Sequence, residues 1–386
     1  MVNNPETTPL AIDIDASGIV FYCRSGYEKD ASDEIAALSA NYQWFGYANF
    51  KTNQGYFTFN FYDNNHALAF ANQVNIDSLV FSRQYFVRYA ILDNLPPKDR
   101  LGAVINGLEK INQSGSVEAK SFLCLGSVSV DYPDTESGKQ LARFAKKFVV
   151  PLRQSLRRSN QMSEKEDLLR PMLHLYMTGF SQWFIGISLE QSRSPYHNGI
   201  HRLKFPSDAP SRSTLKLEEA LIDLVPQSSR TAFLREGARA VDLGACPGGW
   251  TYQLVKHKVY VDAVDNGAMA DSLLQTGLVN YAATDGFKYR PEFGIVDLVV
   301  CDMIERPDRV AQLITEWLLK PFARAAIFNL KLPMKMRFET VNGLLKKMDL
   351  QLQQSNDMSF IIRCKHLYHN RDEVTVSVLP AEKSYD

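Results

Sequence analysis

The sequence predicts an α+β region followed by an α/β domain with a doubly wound, mostly parallel sheet. Short β-rich runs alternate with helical patterns up to about residue 190. Stretch 191–212 then carries three prolines and lacks periodicity, so it separates two regions. Beyond it lie near-continuous apolar runs separated by helical segments, namely ARAVDLG, VYVDAVD, IVDLVVC and AAIFNLKL. Strands that are buried on both faces have this composition.

Composition restricts the class of protein. The 386 residues carry a formal net charge of zero, so affinity for a polyanion must come from a local patch. The five cysteines are scattered and form no C-x-x-C pair, which argues against a disulfide framework and a zinc site; no metal is expected. The first residues do not resemble a signal peptide, and no apolar run is long enough to span a membrane. We therefore expect a cytoplasmic protein without a membrane partner; the sequence does not specify its oligomeric state.

The N-terminal region is predicted to contain two similar α+β halves that meet near residue 76. In the first half, GIVFYCR and YFTFNFY are predicted strands, and KDASDEIAALSANY and NNHALAFANQV are predicted helices. In the second, a long helix begins at about Ser137, and MLHLYMTGF and WFIGISLE form a hairpin. The predicted domains are 1–75, 76–190, and 191–386, the last comprising a linker and the α/β domain.

The chain is predicted to end in an antiparallel strand pair at the edge of the second sheet. MSFIIRCKHL and EVTVSVL flank the turn YHNRD with no helix between them. Two strands joined by a short turn pair antiparallel, whereas a parallel pair needs a long crossover.

The turn after the first strand of the α/β domain is the predicted cofactor site. Open α/β sheets bind ligands beyond the carboxyl ends of their strands. Gly244, Gly248 and Gly249 lie there, but Cys246 replaces the middle glycine of a dinucleotide fingerprint, and Pro247 has no N–H for a phosphate. A nicotinamide-dependent oxidoreductase is therefore disfavoured, and no Lys-Ser or Lys-Thr follows to make a P-loop. The pattern favours S-adenosylmethionine.

Two acidic residues follow the next strands. Asp265 ends VYVDAVD, where an acidic residue binds ribose hydroxyls in related folds. Asp285, in ATDGF, is placed to accept a hydrogen bond from an adenine amino group. The alternative is that both only cap turns. Their position after successive strands favours cofactor binding.

Four charged residues are predicted to project from the same face of the sheet. Lys216 lies in the helix before the first strand, Asp302 ends the fourth strand, Lys331 ends the fifth, and Glu373 starts the last. A lysine at the end of an apolar strand is costly to desolvate unless it is paired. The alternatives are structural ion pairs, Lys331 with Asp302 and Lys216 with Glu373, or a Lys331 side chain that only snorkels to solvent. Taken together, the four favour catalysis.

The motifs DLGACPGGW, VCDM, NLKLPMK and DEVTV resemble the FtsJ-type ribose 2′-O-methyltransferases. The resemblance is densest over 200–379 and is close to the M-type family of bacterial large-subunit ribosomal RNA cytidine 2′-O-methyltransferases. It implies a Rossmann-like methyltransferase domain and an N-terminal ferredoxin-like and THUMP-containing region that binds RNA. It also implies that Ser213 lies near the cofactor, although a serine that opens a helix is equally explained as an N-cap.

A ribose acceptor requires a base, because a 2′-hydroxyl is a poor nucleophile until its proton is removed. We assign this role to Lys331, whose neutral form burial and a nearby Lys216 ammonium both favour. The negative charge of Asp302 would favour the charged form of Lys331 instead. Asp302 is therefore assigned to orienting Lys331 and to holding the substrate near the cofactor. Glu373 is assigned to orienting Lys216 or the ribose.

A basic stripe is the predicted RNA-binding surface. Five cations lie near one face of the helical stretch RFAKKFVVPLRQSLRR: Arg143, Lys146, Lys147, Arg157 and Arg158. Pro151 is expected to kink or split this helix. Basic helix faces are usually only exposed to solvent. Because the predicted methyl acceptor is a ribose, we expect this face to contact the phosphates of an RNA. Transfer RNA as the substrate, and a non-catalytic RNA-binding module, remain alternatives.

Overall fold

The computed structural model describes residues 9–114, 124–292, 294–354 and 359–381. It contains two compact units, Met1–Ile200 and His201–Asp386. No helix within the described residues is long and apolar enough to cross a membrane.

The first unit contains one eight-stranded sheet, in which seven strands follow the order β3-β4-β2-β5-β8-β7-β6 and β1 pairs with β5. Its strands are β1 (Ala11–Ile14), β2 (Gly18–Cys23), β3 (Gly46–Asn49), β4 (Tyr56–Phe61), β5 (Ser82–Asp93), β6 (Ser127–Asp131), β7 (Met172–Met177) and β8 (Trp183–Ser188). Its helices are α1 (Glu28–Asn41), α2 (Asn65–Gln73), α3 (Arg100–Gln113) and α4 (Glu136–Arg158).

The long strand β5 joins the two predicted halves of this unit. It pairs with β2 on one side and with β8 on the other, so both halves share one sheet. Strands β7 and β8 pair antiparallel from Met172↔Ser188 to Met177↔Trp183, which confirms the predicted hairpin. The domain boundaries at 75/76 and 190/191 stay predictions.

Helix α4 runs unbroken through Pro151, so the expected split of this helix is wrong. Proline removes one backbone hydrogen bond, but Leu141, Phe148 and Leu152 are buried on both sides of it and hold the helix in place. All five cations of the predicted RNA-binding stripe are exposed: Arg143, Lys146, Lys147, Arg157 and Arg158.

A buried carboxylate ties several strands of the first unit together. Asp131, at the end of β6, accepts hydrogen bonds from Tyr22 Oη at 2.8 Å and Ser129 Oγ at 2.7 Å. His174 Nδ1 and His197 Nδ1 lie 2.9 and 3.1 Å from its oxygens. Burial opposes the charge, but the hydrogen bonds from both histidines outweigh it and hold the pKa of Asp131 well below its usual range.

The second unit is a seven-stranded sheet in the order β11-β10-β9-β12-β13-β15-β14. Its strands are β9 (Arg239–Leu243), β10 (Tyr260–Asp265), β11 (Val279–Ala283), β12 (Leu298–Cys301), β13 (Ala326–Lys331), β14 (Phe360–Lys365) and β15 (Glu373–Pro380). Its helices are α5 (Thr214–Asp223), α6 (Gln227–Phe233), α7 (Gly249–Lys256), α8 (Asp271–Leu274), α9 (Pro307–Leu319) and α10 (Arg337–Gln353).

This sheet confirms the predicted α/β fold. Strands β9 to β13 are parallel, whereas β15 pairs antiparallel with β13 and with β14, which is the predicted edge pair. The chain leaves β9 toward β10 on one side and later returns to place β12 on the other. A crevice forms at such a switch point beyond the carboxyl ends of the strands.

Candidate active site

The turn between β9 and α7 uses its own N–H groups within the protein. The N–H groups of Gly244 and Ala245 donate to the carbonyl oxygen of Val264, at 2.9 and 3.3 Å. The N–H of Cys246 donates to Asp265 Oδ2 at 2.9 Å, and the peptide bond that follows it is cis. Three donors that a phosphate would need are therefore already paired, which favours a ligand without a phosphate at this turn.

Protein packing requires each of the three glycines. Gly244 and Gly248 have positive φ angles of 79° and 116°, which glycine adopts readily. A Cβ on Gly244 would lie 2.8 Å from Met303 Cγ, and one on Gly248 would lie 2.2 Å from Leu273 Cδ1. The turn is tight, as glycines at these positions predict. The atoms that approach Gly244 and Gly248 closely, however, belong to the protein and not to a ligand.

Ser213 lies against the turn. A Cβ on Gly249 would be 2.0 Å from Ser213 Oγ. Ser213 occupies the N-cap position of α5 but makes no side-chain capping hydrogen bond, and its hydroxyl pairs with Ser211 Oγ at 3.1 Å. The N-cap explanation for this serine is therefore wrong. Ser213 lies beside the turn, and its proximity to the cofactor stays a prediction.

A cavity of about 510 Å³ opens beyond the strand ends. Five of the residues that line it are predicted site residues: Gly244, Cys246, Asp265, Asp285 and Asp302. Met303, Ile304 and Phe287 add apolar wall. The lining is mainly polar, with apolar side chains on part of the wall, and the volume is in the range of small-molecule sites.

Asp265 and Asp285 also organise the local backbone. Asp265 Oδ1 accepts a hydrogen bond from the N–H of Gly267 at 2.9 Å, in addition to its bond with Cys246. Asp285 Oδ1 accepts from the N–H of Phe287 at 2.9 Å. Both carboxylates therefore stabilise turns, as the alternative explanation expects. Both also border the cavity.

The four predicted charged residues form one closed cluster, which we call the charged ring: Lys216, Asp302, Lys331 and Glu373. Lys216 Nζ lies 3.1 Å from Asp302 Oδ2 and 2.5 Å from Glu373 Oε1. Lys331 Nζ lies 3.6 Å from Asp302 Oδ1 and donates to Glu373 Oε2. Each lysine contacts both carboxylates, so both ion pairs of the structural alternative are present, within a larger cluster that also joins Lys216 to Asp302 and Lys331 to Glu373.

Strand register explains the ring. Lys331 and Glu373 are directly opposite each other in the β13–β15 pair, where side chains lie on the same face. Asp302 follows β12, the parallel neighbour of β13, so its side chain leaves the same sheet edge as Lys331. Lys216 reaches this edge from α5.

Electrostatics distinguishes the members of the ring. Burial disfavours the charge on Lys216, but Asp302 and Glu373 outweigh it and raise the pKa of Lys216 above its ordinary value. Burial likewise opposes the charge on Glu373, yet Lys216 and Lys331 lower the pKa of Glu373. The side chain of Lys331 is 29% exposed, compared with 16% for Lys216, so Lys331 is the more accessible lysine.

Sequence reasoning missed a buried chain of polar groups behind the ring. Asn329 Nδ2 donates to Asp302 Oδ1 at 2.7 Å. Thr375 Oγ1 donates to Asn329 Oδ1 at 2.7 Å, and Asn370 Nδ2 donates to Thr375 Oγ1 at 3.0 Å. All three are fully buried. The sequence alone could have indicated Asn329, because it is a polar residue inside an apolar strand. Its contact with Thr375 depends on the register of β15 and could not be predicted.

A second missed residue is Asp242, in the first strand of this sheet. It is fully buried, and its Oδ2 accepts from Thr251 Oγ1 at 2.6 Å. Burial, helped by the negative charges of Asp302 and Asp265, raises the pKa of Asp242 to about 7. Within the described ranges, no three His, Cys, Asp or Glu side chains are placed to hold a metal ion.

Three protein families match successive parts of the chain. The RlmM ferredoxin-like domain matches residues 16–86. The N-terminal domain of ribosomal RNA large subunit methyltransferase M matches residues 99–189. The FtsJ-like methyltransferase family matches residues 209–356, which include the turn, the cavity and three members of the charged ring.

Curated relatives match nearly the whole chain. A protein of Alteromonas mediterranea named ribosomal RNA large subunit methyltransferase M is 47% identical over 95% of this chain and 98% of its own length. Proteins of the same name from Shewanella loihica and Yersinia enterocolitica are each 44% identical, over 93% of this chain and 96% and 95% of theirs.

Proposed function

The chain belongs to the family of ribosomal RNA large subunit methyltransferase M, and we propose that it methylates a ribose 2′-hydroxyl of large-subunit ribosomal RNA. The cofactor is S-adenosylmethionine, which supplies an activated methyl group. We propose a cytidine as the modified nucleotide, in line with the family resemblance of the sequence motifs. A ribosomal RNA substrate would place the enzyme in the cytoplasm.

The observation that carries this proposal is the position of Asp302. Its carboxylate borders the cavity and contacts both lysines of the charged ring. A cofactor in the cavity and a hydroxyl beside Lys331 would therefore be neighbours. Alignment of the two reacting groups is itself a large part of catalysis for such a transfer.

We assign the general base to Lys331. As a neutral amine, its Nζ would take the proton of the 2′-hydroxyl while the oxygen bonds to the methyl carbon and the methyl–sulfur bond breaks, so that the neutral thioether S-adenosylhomocysteine leaves. The Lys331 ammonium would then release its proton to solvent. Lys216 is the lysine whose pKa the carboxylates raise, so we assign it to staying charged. Glu373 and Asp302 both contact Lys331, so we assign them to orienting this lysine and the incoming ribose.

The cofactor contacts follow from the cavity. Asp265 would accept hydrogen bonds from the ribose hydroxyls, and Asp285 from the adenine amino group, each with lone pairs that its backbone bonds leave over. Ser213, Gly244, Cys246, Pro247, Gly248 and Gly249 would shape the wall beside the methionine part. None of these contacts requires a phosphate or a metal ion.

The exposed stripe on α4 would bind the phosphates of the substrate. Five cations on one helix face provide a local positive charge, although the net charge of the whole chain is zero. This placement assigns RNA binding to the N-terminal unit and chemistry to the C-terminal unit. THUMP-type RNA recognition by residues 76–190 is part of the same proposal.

Lys331→Ala and Lys331→Arg test the base. Both should lose nearly all methyl transfer to RNA but keep cofactor binding, because a guanidinium does not release its proton at neutral pH. Single-turnover transfer across pH, with cofactor affinity from calorimetry as the control, separates the two functions. Near-normal turnover by Lys331→Arg would show that position 331 needs only a positive charge, and the base assignment would fall.

A further inference from the structure

The loop between β13 and α10, which follows Lys331 of the charged ring, exposes two methionines. Met334 is 92% exposed and Met336 is 66% exposed. The other methionines that the structure describes are buried or half-buried. Exposed apolar side chains that lie close together are candidates for a binding role. The loop starts directly after Lys331, the proposed base.

The shape of this loop is fixed at both ends. The N–H of Leu332 donates to the carbonyl oxygen of Asp372 at 2.9 Å. At the other end, Thr340 donates to the carbonyl oxygen of Met336 through its N–H at 3.0 Å and its Oγ1 at 2.7 Å. Met336 itself has φ 56° and ψ 44°, a left-handed conformation that is uncommon for a residue with a side chain. Such conformations persist where the surroundings impose them and are frequent at ligand sites.

Substrate geometry places a nucleobase beside this loop. A ribose whose 2′-hydroxyl reaches Lys331 Nζ carries its base on the adjacent carbon, so the base lies within a few ångströms of the ring. Met334 follows Lys331 by three residues, which is at most about 10 Å of extended chain. Unpaired bases that proteins hold for chemistry pack against apolar or aromatic side chains. Methionine adapts well to a flat surface.

We propose that Met334 and Met336 hold the base of the acceptor nucleotide, and that the exposed Lys335 between them faces the neighbouring phosphate. The inference rests on the proposed function, since it requires a ribose at Lys331. It makes the two methionines positioning residues: they orient the ribose by fixing its base and take no part in proton or methyl transfer.

The first test compares a Met334→Ala, Met336→Ala double variant with the wild-type protein. kcat/KM for RNA should fall about tenfold, mainly through KM, and cofactor affinity should not change. The corresponding double leucine variant should recover activity to within about twofold, because leucine restores a similar apolar volume. Leu350→Ala is the matched control, since Leu350 is 62% exposed on α10 of the same unit. Its kinetics should equal those of the wild type.

The second test removes the nucleobase of the substrate instead of the methionines. The substrate is an RNA with an abasic ribose at the position that the wild-type protein methylates, and this ribose keeps its 2′-hydroxyl. Methyl transfer by the wild type to this RNA should be slowed about as much as transfer by the double alanine variant to intact RNA. Combining the two changes should add little, because both remove the same contact. Fully additive losses, or a double variant that behaves like Leu350→Ala, would overturn the inference. A wild-type protein without methyl transfer would instead overturn the proposed function.

Discussion

Replacing Gly249 with alanine should destabilise the C-terminal unit and weaken catalysis together. The added Cβ would lie 2.0 Å from Ser213 Oγ and 3.1 Å from the backbone nitrogen of Thr214. The serine hydroxyl can rotate away, but the backbone cannot, so the start of α5 must move. Overpacking of this kind costs about 1–3 kcal/mol. In a unit of this size each kcal/mol lowers Tm by roughly 2–4 °C, so we expect a decrease of about 2–12 °C.

Thermal unfolding of the full chain and methyl transfer by the same preparation measure both effects. Lys216 lies two residues beyond Thr214 on α5, so the movement should disturb the charged ring. Gly343→Ala is the matched control: no atom lies within 4 Å of its added Cβ, and alanine favours the helix α10 by up to about 1 kcal/mol. Adding Ser213→Ala to Gly249→Ala removes the shortest contact and should restore part of the stability. Wild-type Tm and activity in Gly249→Ala would refute this account of the turn.

Three further outcomes are expected. Asp131→Ala should lower the free energy of unfolding by about 3–5 kcal/mol in denaturant titrations at neutral pH, because buried donors lose their acceptor. Because the folded protein lowers the pKa of Asp131, its contribution to stability should persist above about pH 4 and be lost only at lower pH. The raised pKa of Asp242 should make the wild type lose stability as pH rises from about 4 through 7, and Asp242→Asn should remove that loss; an unchanged pH dependence in this variant would contradict the assignment. Replacing Arg143, Lys147 and Arg157 with alanine should reduce the log–log salt slope of RNA binding by about 0.7–0.9 for each lost phosphate contact and leave cofactor affinity unchanged. An identical slope would mean that the stripe is only solvated.

The sequence predicted which charged residues meet, because the fold brings strand ends together. Asp302 and Lys331 end neighbouring parallel strands, and the carboxyl ends of such strands meet at one edge of the sheet. The final hairpin was predictable from the short turn between two β-rich runs, and it carries Glu373 to the same edge. The order of elements along the chain thus determined which residues meet.

Sequence could not predict the details that depend on register and packing. Whether each carboxylate binds one lysine or two depends on how Glu373 and Lys331 align, and a shift of one residue would turn Glu373 to the other face. The contact of Ser213 with Gly249 depends on how closely α5 and α7 approach, which no local pattern encodes. Pro151 misled the prediction because burial of α4 outweighs the lost hydrogen bond.

The most direct test of the central claim is the chemical position of the transferred methyl group. The protein is incubated with methyl-labelled S-adenosylmethionine and large-subunit ribosomal RNA that lacks modifications, with transfer RNA transcripts as the parallel substrate. The RNA is then hydrolysed in alkali, which cleaves only next to a free 2′-hydroxyl. We predict label in an alkali-stable dinucleotide from ribosomal RNA, a cytidine at its 5′ position, and no such product with Lys331→Ala. Label released as a base-methylated mononucleotide would contradict the account.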